Sequence, residues 1–243
     1  SGVVERRYVE AGVASSDLGA EAARAALADA RMEPQEIDYI VCATMTPDHF
    51  FPGCGTILQQ KLGLRPIPAL DIRQQCAGFA YGLQMVDALI RSRIARNVLL
   101  VGTDVHTSLM PFSQRTWAVL EGREEGPISA EEFAWNSRFR HLLVLFGDGA
   151  GAMVFRASEE DDGRGILGAR LYGDGNHQDI LTVPGLGSSR RPFVTAEQIA
   201  AGETVPVMDG RKVFKLAVTL MPQVAAALLA EHGLAVSDLD LFV

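Results

Sequence analysis

The sequence predicts a protein of the α/β class, in which a largely parallel sheet is covered by helices on both faces. Short, almost continuously apolar runs alternate with helix-forming segments along the first hundred residues, and strands of this kind are usually buried on both faces. In addition, 48% of the 243 residues are hydrophobic and 21% are charged. This composition excludes a disordered, collagen-like or coiled-coil chain and leaves ample material for a buried core.

The first elements are a helix, a strand and a second helix. SSDLGAEAARAALADARM at 15–32 begins with residues that cap helices and continues with alanine-rich sequence, and Pro34 favours the end of this helix. The apolar run 37–44 predicts a strand. A turn-rich loop at 46–55 then leads to a helix predicted over 56–63.

The same alternation continues through the next two strands. Apolar runs at 67–72 and 97–105 predict strands, and the helical pattern 77–93 between them begins directly after Cys76. Residues 106–138 then break the pattern, with scattered aromatic side chains and no clear period. They predict an irregular segment that is too long for an ordinary connection.

A glycine-rich run separates the next two predicted strands, 141–146 and 150–157. This run, GDGAG at 147–151, could cradle a phosphate, but a dinucleotide fingerprint must open a helix. Here a strand-like run follows. We therefore interpret it as a tight turn with positive φ and expect no nicotinamide or flavin cofactor.

The last part of the chain predicts a strand and turn at 166–175, a loop-rich stretch at 176–206, and one or two helices at 210–233. It also contains an internal similarity. LAEHGLAVSDLDLFV at 229–243 aligns without gaps with LADARMEPQEIDYIV at 27–41, each being a helix end, a turn and an apolar strand. Duplication and chance both remain open on this evidence alone.

Charge and cysteine usage narrow the function classes. With 30 acidic and 22 basic side chains the net charge is −8, and no Lys/Arg run exceeds two residues, which argues against nucleic-acid binding. We find no apolar stretch near the roughly 20 residues that cross a bilayer and no signal-peptide profile at the N-terminus. We therefore expect a soluble cytoplasmic protein. The three cysteines show no C-x-x-C spacing, which argues against a disulfide framework and a zinc site.

Cys76 is the strongest candidate for chemistry, because it lies where a predicted strand ends and a helix begins. Peptide dipoles at a helix N-terminus favour the thiolate, the form that attacks a carbonyl carbon. A buried structural cysteine is the alternative. Cys42, inside a strand, is expected to pack in the core. Cys54, in PGCG before a helix, is a rival nucleophile, although a small residue that starts the helix is the favoured explanation.

The five histidines offer no convincing partner for a nucleophilic cysteine. None is paired with another at metal-ligand spacing, and each is expected to face solvent or to be structural. They are His49, His106, His141, His177 and His232.

Four motifs together resemble β-ketoacyl-acyl carrier protein synthase III, a condensing enzyme of the thiolase fold. They are DIRQQCAGFAYGL, LFGDGAGAMV, SGVVERRYVE and MDGRKVFKLAV, in the expected positions along the chain. The resemblance implies an αβαβα layered sandwich of two similar halves. Residues 1–157 would form the first half, with 106–138 as an insertion, and 158–243 the start of a second half that is incomplete in this chain.

By this resemblance, Cys76 is acylated by an acyl thioester, commonly acyl-CoA, and the acyl group then condenses with malonyl-acyl carrier protein with loss of CO₂. Phe51 matches a position that reaches across a homodimer interface into the neighbouring acyl pocket. Arg140 matches an arginine that stacks on the adenine of CoA. Phe214 and Lys215 match pocket-lining and carrier-docking positions. No metal or cofactor is implied beyond the CoA thioester, which is a substrate.

Three features depart from the family pattern or leave alternatives open. The family His of a Pro-His-Gln-Ala-Asn motif, and a later Asn, are absent from the 243 residues, so we expect the chain to be part of a longer condensing enzyme. Residues 106–138 could cover the acyl tunnel, add a dimer contact or be a surface elaboration. Non-decarboxylative acyl transfer and a catalytically silent scaffold subunit are the alternative functions.

Overall fold

In the computed structural model, which describes residues 2–159 and 163–242, the chain divides into two compact units. One unit comprises Ser1–Tyr8, His106–Gly147 and Asp174–Val218. The other comprises Val9–Val105, Asp148–Gly173 and Thr219–Val243. The division of the chain into 1–157 and 158–243 follows the family resemblance and not compactness, and it stays a prediction.

The second unit contains a four-stranded sheet whose strand order is β2-β1-β3-β4. Its strands are β1 (Tyr39–Ala43), β2 (Ala69–Ile72), β3 (Asn97–Asp104) and β4 (Gly149–Arg156). β1 pairs with β2 and β3 in parallel, whereas β4 is antiparallel to β3. The strands predicted at 37–44, 67–72, 97–105 and 150–157 are therefore confirmed.

Helices cover both faces of this sheet, as predicted. α1 (Ser15–Ala30) and α2 (Cys54–Lys61) pack on one face, and α3 (Gly78–Arg91) packs on the other. Successive residues of β1 point in opposite directions, so Ile40 belongs to the core under α1 and α2, whereas Val41 belongs to the core under α3. Both side chains are fully buried, which explains why β1 is apolar on both of its faces.

The first unit is mainly helical. It contains α4 (Gln114–Leu120), α5 (Ala130–Leu145) and α6 (Ala196–Ala201), and an antiparallel pair of short strands, β5 (Leu181–Thr182) and β6 (Val207–Met208). Its small core is built on Met110, Leu142 and Val205.

The remaining elements are distributed along the whole chain. The helix α7 (Gly210–Glu231) follows β6, and short 3₁₀ turns lie at Pro34–Glu36, Gln75–Ala77, His106–Leu109, Gly175–His177 and Val236–Asp238.

The prediction that 106–138 is irregular is wrong, because two capped helices lie there. The Ser113 hydroxyl accepts a hydrogen bond from the Thr116 N–H at the start of α4. At the start of α5, Ser129 and Glu132 form a reciprocal capping box. The Ser113 hydroxyl donates to Glu132, and these hydrogen bonds keep the pKa of the Glu132 carboxyl below its usual value.

The strand predicted at 141–146 is also wrong, since α5 continues through Leu145. A short apolar run fits a buried helix face as well as a strand. Leu142 is fully buried in the small core of this unit, whereas Val144 and Leu145 are about half exposed. The burial of Leu142 on one face of α5 therefore explains part of the apolar run 141–146, from which the sequence predicted a strand.

The strands predicted at 166–175 and at the end of the chain are not formed. The described residues of these segments, 166–175 and 239–242, lie outside any strand, and position 243 lies outside the described part of the chain. The Ile166 carbonyl accepts a hydrogen bond from the Arg91 guanidinium and not from a neighbouring strand. Leu241 and Phe242 are mostly exposed. Since a strand needs a paired neighbour, apolar sequence alone does not form one here.

The helix predicted at 210–233 is a single one, α7, which contains Pro222. By length and composition this helix could cross a membrane, since its most apolar window has a mean hydropathy of 1.8. The expectation that the chain holds no such stretch is therefore wrong by this criterion. A core helix of a soluble protein can have the same length and hydropathy, so these two properties do not assign α7 to a membrane.

Candidate active site

Cys76 lies in the 3₁₀ turn that joins β2 to α3. The helix that was predicted to begin at residue 77 begins at Gly78, so Cys76 precedes its first turn. Its side chain is exposed. In parallel sheets such strand-to-helix junctions lie at the carboxyl ends of the strands, where ligands of α/β proteins bind.

Close packing of α3 against the sheet places this turn. A Cβ atom at Gly78 would stand 3.0 Å from the Cβ of Ala43, the last residue of β1. One helical turn later, a Cβ at Gly82 would stand 2.4 Å from Cδ1 of the buried Leu100. Glycine at both positions lets the helix approach the strands, and Gly78, which meets the end of β1, lies two residues after Cys76.

The other two cysteines are buried. A hydrogen bond with the Cys54 thiol, followed by burial, raises the pKa of the Cys42 thiol well above its usual value. The Cys54 sulfur is itself 3.9 Å from an oxygen of Asp48. Cys42 is therefore a core residue as predicted, and its neighbour Cys54 is too enclosed to serve as the rival nucleophile.

Carboxylates organise the loop between β1 and α2. The Asp71 carboxylate accepts hydrogen bonds from the backbone N–H groups of Cys54 at 2.5 Å and Gly55 at 2.8 Å, and so caps α2. Asp48 accepts from the N–H of Ser16 at 2.9 Å and from its hydroxyl. Sequence reasoning did not identify either carboxylate, although the spacing of a strand-end Asp from a Gly-x-Gly helix start was available as a signal.

Phe51 projects from this loop, with four fifths of its surface exposed. The Phe50 ring lies 6.0 Å from the Phe51 ring in an edge-to-face arrangement and is similarly exposed. Two large apolar rings held together on the surface are unusual unless a ligand or another subunit covers them.

The remaining residues selected by resemblance belong to the other unit. Arg140 is exposed on α5, in a helix and not beside a strand as the sequence predicted. Phe214 and Lys215 are exposed on α7, near the beginning of the helix. Each is accessible on its own element, which is what a ligand or carrier contact requires.

Among the histidines, His106 has the most defined setting. Its ring stacks on Phe146, with the ring centroids 4.8 Å apart, and its Nδ1 is buried without a hydrogen-bond partner. This supports a packing role. Within residues 2–159 and 163–242, no three His, Cys, Asp or Glu side chains are grouped as a metal site would require.

The GDGAG run is followed by strand β4 and not by a helix. Its glycines at 147, 149 and 151 do not have positive φ, so the expected turn conformation is wrong. Gly147 is needed for a close approach instead, since a Cβ there would stand 3.1 Å from the Arg6 side chain and 3.3 Å from the Arg7 carbonyl.

Comparison with known proteins finds sequence relatives that cover the segment around Cys76. The family model for 3-oxoacyl-[acyl-carrier-protein] synthase III matches residues 70–122 and 128–175, a region that includes Cys76. A curated β-ketoacyl-[acyl-carrier-protein] synthase III from Rhodospirillum rubrum is 39% identical over 244 residues, covering 99% of this chain and 64% of the relative.

Solved structures give the same result for the fold. The 3-oxoacyl-[acyl-carrier-protein] synthase III of Aquifex aeolicus is 30% identical and superimposes with a TM-score of 0.72. The Pseudomonas aeruginosa enzyme is 31% identical with a TM-score of 0.70. Each comparison covers 96% of this chain and 61% of the other. The chain thus has the thiolase-like fold of these proteins and spans less than two thirds of their length. In sequence and in fold, this chain is similar to 3-oxoacyl-[acyl-carrier-protein] synthase III proteins.

Proposed function

We propose that this chain carries the acyl-accepting centre of a β-ketoacyl-acyl carrier protein synthase III, an acyltransferase of fatty-acid or related lipid biosynthesis. The observation that carries this proposal is the setting of Cys76. It is the exposed cysteine among the three, it precedes helix α3, and it lies in a segment that matches the family model.

The first proposed step transfers an acyl group from CoA to the enzyme. The Cys76 thiolate attacks the carbonyl carbon of acyl-CoA, a C–S bond to Cys76 forms, and the C–S bond to CoA breaks, so that CoA leaves as a thiolate and takes up a proton. The Cys76 N–H would contribute to the oxyanion hole, where donors aimed at developing charge have their largest effect.

The second proposed step is a decarboxylative condensation. Malonyl-acyl carrier protein loses CO₂, the resulting carbanion attacks the acyl carbonyl carbon, a C–C bond forms, and Cys76 leaves as a thiolate. The Pro-His-Gln-Ala-Asn motif that stabilises the enolate in the family is absent from the 243 residues. Acylation and condensation are therefore tested separately.

The substrate contacts follow the family positions. Phe51 contacts the acyl pocket of a second subunit in a homodimer, Arg140 stacks on the adenine of CoA, and Phe214 and Lys215 line the pocket and dock the carrier protein. The exposure of Phe51 and Phe214 supports such contacts, since large exposed apolar rings favour an interface. The protein is proposed to act in the cytoplasm, away from membranes and nucleic acids, and without a cofactor other than the thioester substrate.

Intact mass after incubation with acyl-CoA tests the first step. We expect one acyl group per chain, and none in the Cys76→Ala variant. Cys54→Ala, which removes a buried cysteine, is the matched control and should keep the label. Acylation that survives Cys76→Ala would overturn the site.

Malonyl-acyl carrier protein then tests the second step on the acylated chain. Release of CO₂ together with a 3-oxoacyl product supports decarboxylative condensation. Release of the acyl group without CO₂ identifies plain acyl transfer, and a label that is never formed identifies a scaffold subunit. Chromatography and mass spectrometry of the products distinguish these results.

A further inference from the structure

Gln75, the residue before Cys76, has a left-handed backbone conformation. Its φ is 43°, a value that few residues with a side chain adopt. In the described part of the chain, only Arg31 and Arg93 share this property, with φ of 53° and 59°. Arg31 is the C-terminal cap of α1, and Arg93 follows the end of α3. Left-handed residues commonly end helices, but Gln75 begins a turn that leads into one.

The two ends of the connection that contains Gln75 are fixed. At one end, Ile72 is paired with Ala43 in the sheet, and its carbonyl accepts a hydrogen bond from the Thr44 N–H at 3.2 Å. At the other end, Gly78 stands against Ala43 with no room for a larger side chain. The chain must reverse its direction within residues 73–77, because α3 packs back on the sheet.

Two hydrogen bonds close this reversal around the cysteine. The Ala77 N–H donates to the Gln74 carbonyl at 3.1 Å, and the Gly78 N–H donates to the Gln75 carbonyl. Within the described residues, the Cys76 N–H donates to no backbone carbonyl. The left-handed conformation of Gln75 thus sets the direction of the backbone at Cys76, whose thiol is exposed.

We propose that Gln75 is a positioning residue for Cys76, acting through its backbone conformation. This inference rests on the proposed function, in which Cys76 is the nucleophile. A residue that tolerates a left-handed conformation preserves the turn and the presentation of the thiol. A residue that disfavours this conformation shifts the turn and moves the thiol away from its reactive position.

Alkylation of Cys76 by iodoacetamide in the full 243-residue chain tests the proposal without any substrate. The variants are Gln75→Asn, which tolerates the left-handed region, Gln75→Ala, which tolerates it less, and Gln75→Val, whose branched side chain disfavours it most. We expect the second-order rate of Gln75→Asn to match the parent chain. We expect a fall of about threefold for Gln75→Ala and about tenfold for Gln75→Val, since small displacements of a reacting group are costly.

Arg93→Val is the matched control, because it strains the same conformation at the other end of α3. It should reduce stability while leaving the alkylation rate of Cys76 unchanged. The ratio of kcat to KM for acyl-CoA should fall in the same order as the alkylation rates.

Alkylation rates that do not follow the order Asn, Ala, Val would overturn the proposal. So would an Arg93→Val variant as slow as Gln75→Val, because the effect would then be global. If Gln75→Val does not fold, Gln75→Asn and Gln75→Ala still give the order. If the variants alkylate in this order but the parent chain is never acylated by acyl-CoA, the proposed function is refuted and the positioning role of Gln75 stands.

Discussion

Thr46 donates two hydrogen bonds to one carboxylate oxygen of Asp104, from its backbone N–H at 3.2 Å and from its hydroxyl at 3.0 Å. The same oxygen also accepts from the Met45 N–H at 2.8 Å and the Thr44 hydroxyl at 3.1 Å. The Thr46 hydroxyl in turn accepts from the Val105 N–H at 2.8 Å. These bonds tie the ends of β1 and β3 together beneath the start of the loop that carries Phe51.

Removing the Asp104 carboxylate should therefore destabilise the unit that contains the four-stranded sheet. Asp104→Ala leaves the Met45 and Thr46 N–H groups and two hydroxyls without their acceptor, and we expect a loss of about 2–3 kcal/mol, the cost of unsatisfied buried donors. Urea denaturation measures this as a lower midpoint at an unchanged slope. Asp104→Asn keeps an acceptor oxygen and should lose less. Equal midpoints for Asp104→Ala and the parent chain would contradict the role of the carboxylate.

Asp71 should stabilise the start of α2. Asp71→Ala removes the acceptor of two first-turn N–H groups, those of Cys54 and Gly55, and should cost about 1–2 kcal/mol, as the loss of a helix cap does. Amide exchange at these two positions should also become faster. Asp87→Ala is the control, because it removes an ion pair with Arg91 within α3, and we expect it to cost about 0.5 kcal/mol or less. A similar loss in both variants would argue against a capping role.

The packing of α3 on the sheet gives a third prediction. Gly82→Ala gains helix propensity, but its Cβ would stand 2.4 Å from Cδ1 of Leu100, so this fully buried side chain must shift within the core. We expect a net loss of about 1–2 kcal/mol from this overpacking, measured by urea denaturation. Gly151→Ala, on β4, is the control, since a Cβ there meets nothing within 4 Å. Equal stability of the two variants would show that α3 does not approach the strands this closely.

The ion pair of Asp17 with Lys61 predicts a dependence of stability on pH. A hydrogen bond from Lys61, followed by one from the Ala14 N–H, lowers the pKa of the Asp17 carboxyl from its usual 3.8. Because the pKa is lower in the folded state, the ionised carboxylate stabilises the fold above pH 3.8, and this contribution is lost as the pH falls through the folded value. Nearly half of the Asp17 side chain is exposed, so solvent screening keeps the effect small.

Urea midpoints of the parent chain and of Asp17→Asn, taken from neutral pH down to below the folded pKa, measure this effect. The parent should be the more stable chain at neutral pH, and the difference should vanish in acid. Adding Lys61→Met to both chains should remove most of the pH-dependent part. A difference that persists unchanged in acid would contradict the assignment.

The parts of the fold that sequence reasoning predicted correctly are those whose signal is local. Alternating helical and apolar segments were enough for α1, for the strands β1, β2, β3 and β4, and for the helix after Cys76, because both faces of such a sheet must be buried. Motif order was enough to identify the proteins that the chain resembles. The choice of Cys76 as the nucleophile stays a prediction. These inferences need no knowledge of which side chains meet.

Only the tertiary structure decided the points that depend on contacts between distant residues. It turned the apolar run 141–146 into the end of α5, because Leu142 enters a helical core and no neighbouring strand pairs with the run. It buried Cys54 and left Cys76 exposed. It also joined Asp104 to Thr46, which lie 58 positions apart, and brought Gln75 into a left-handed turn between two fixed ends. Sequence pattern determines which residues prefer burial and which elements they form, whereas the packing of those elements determines which groups are close enough to act together.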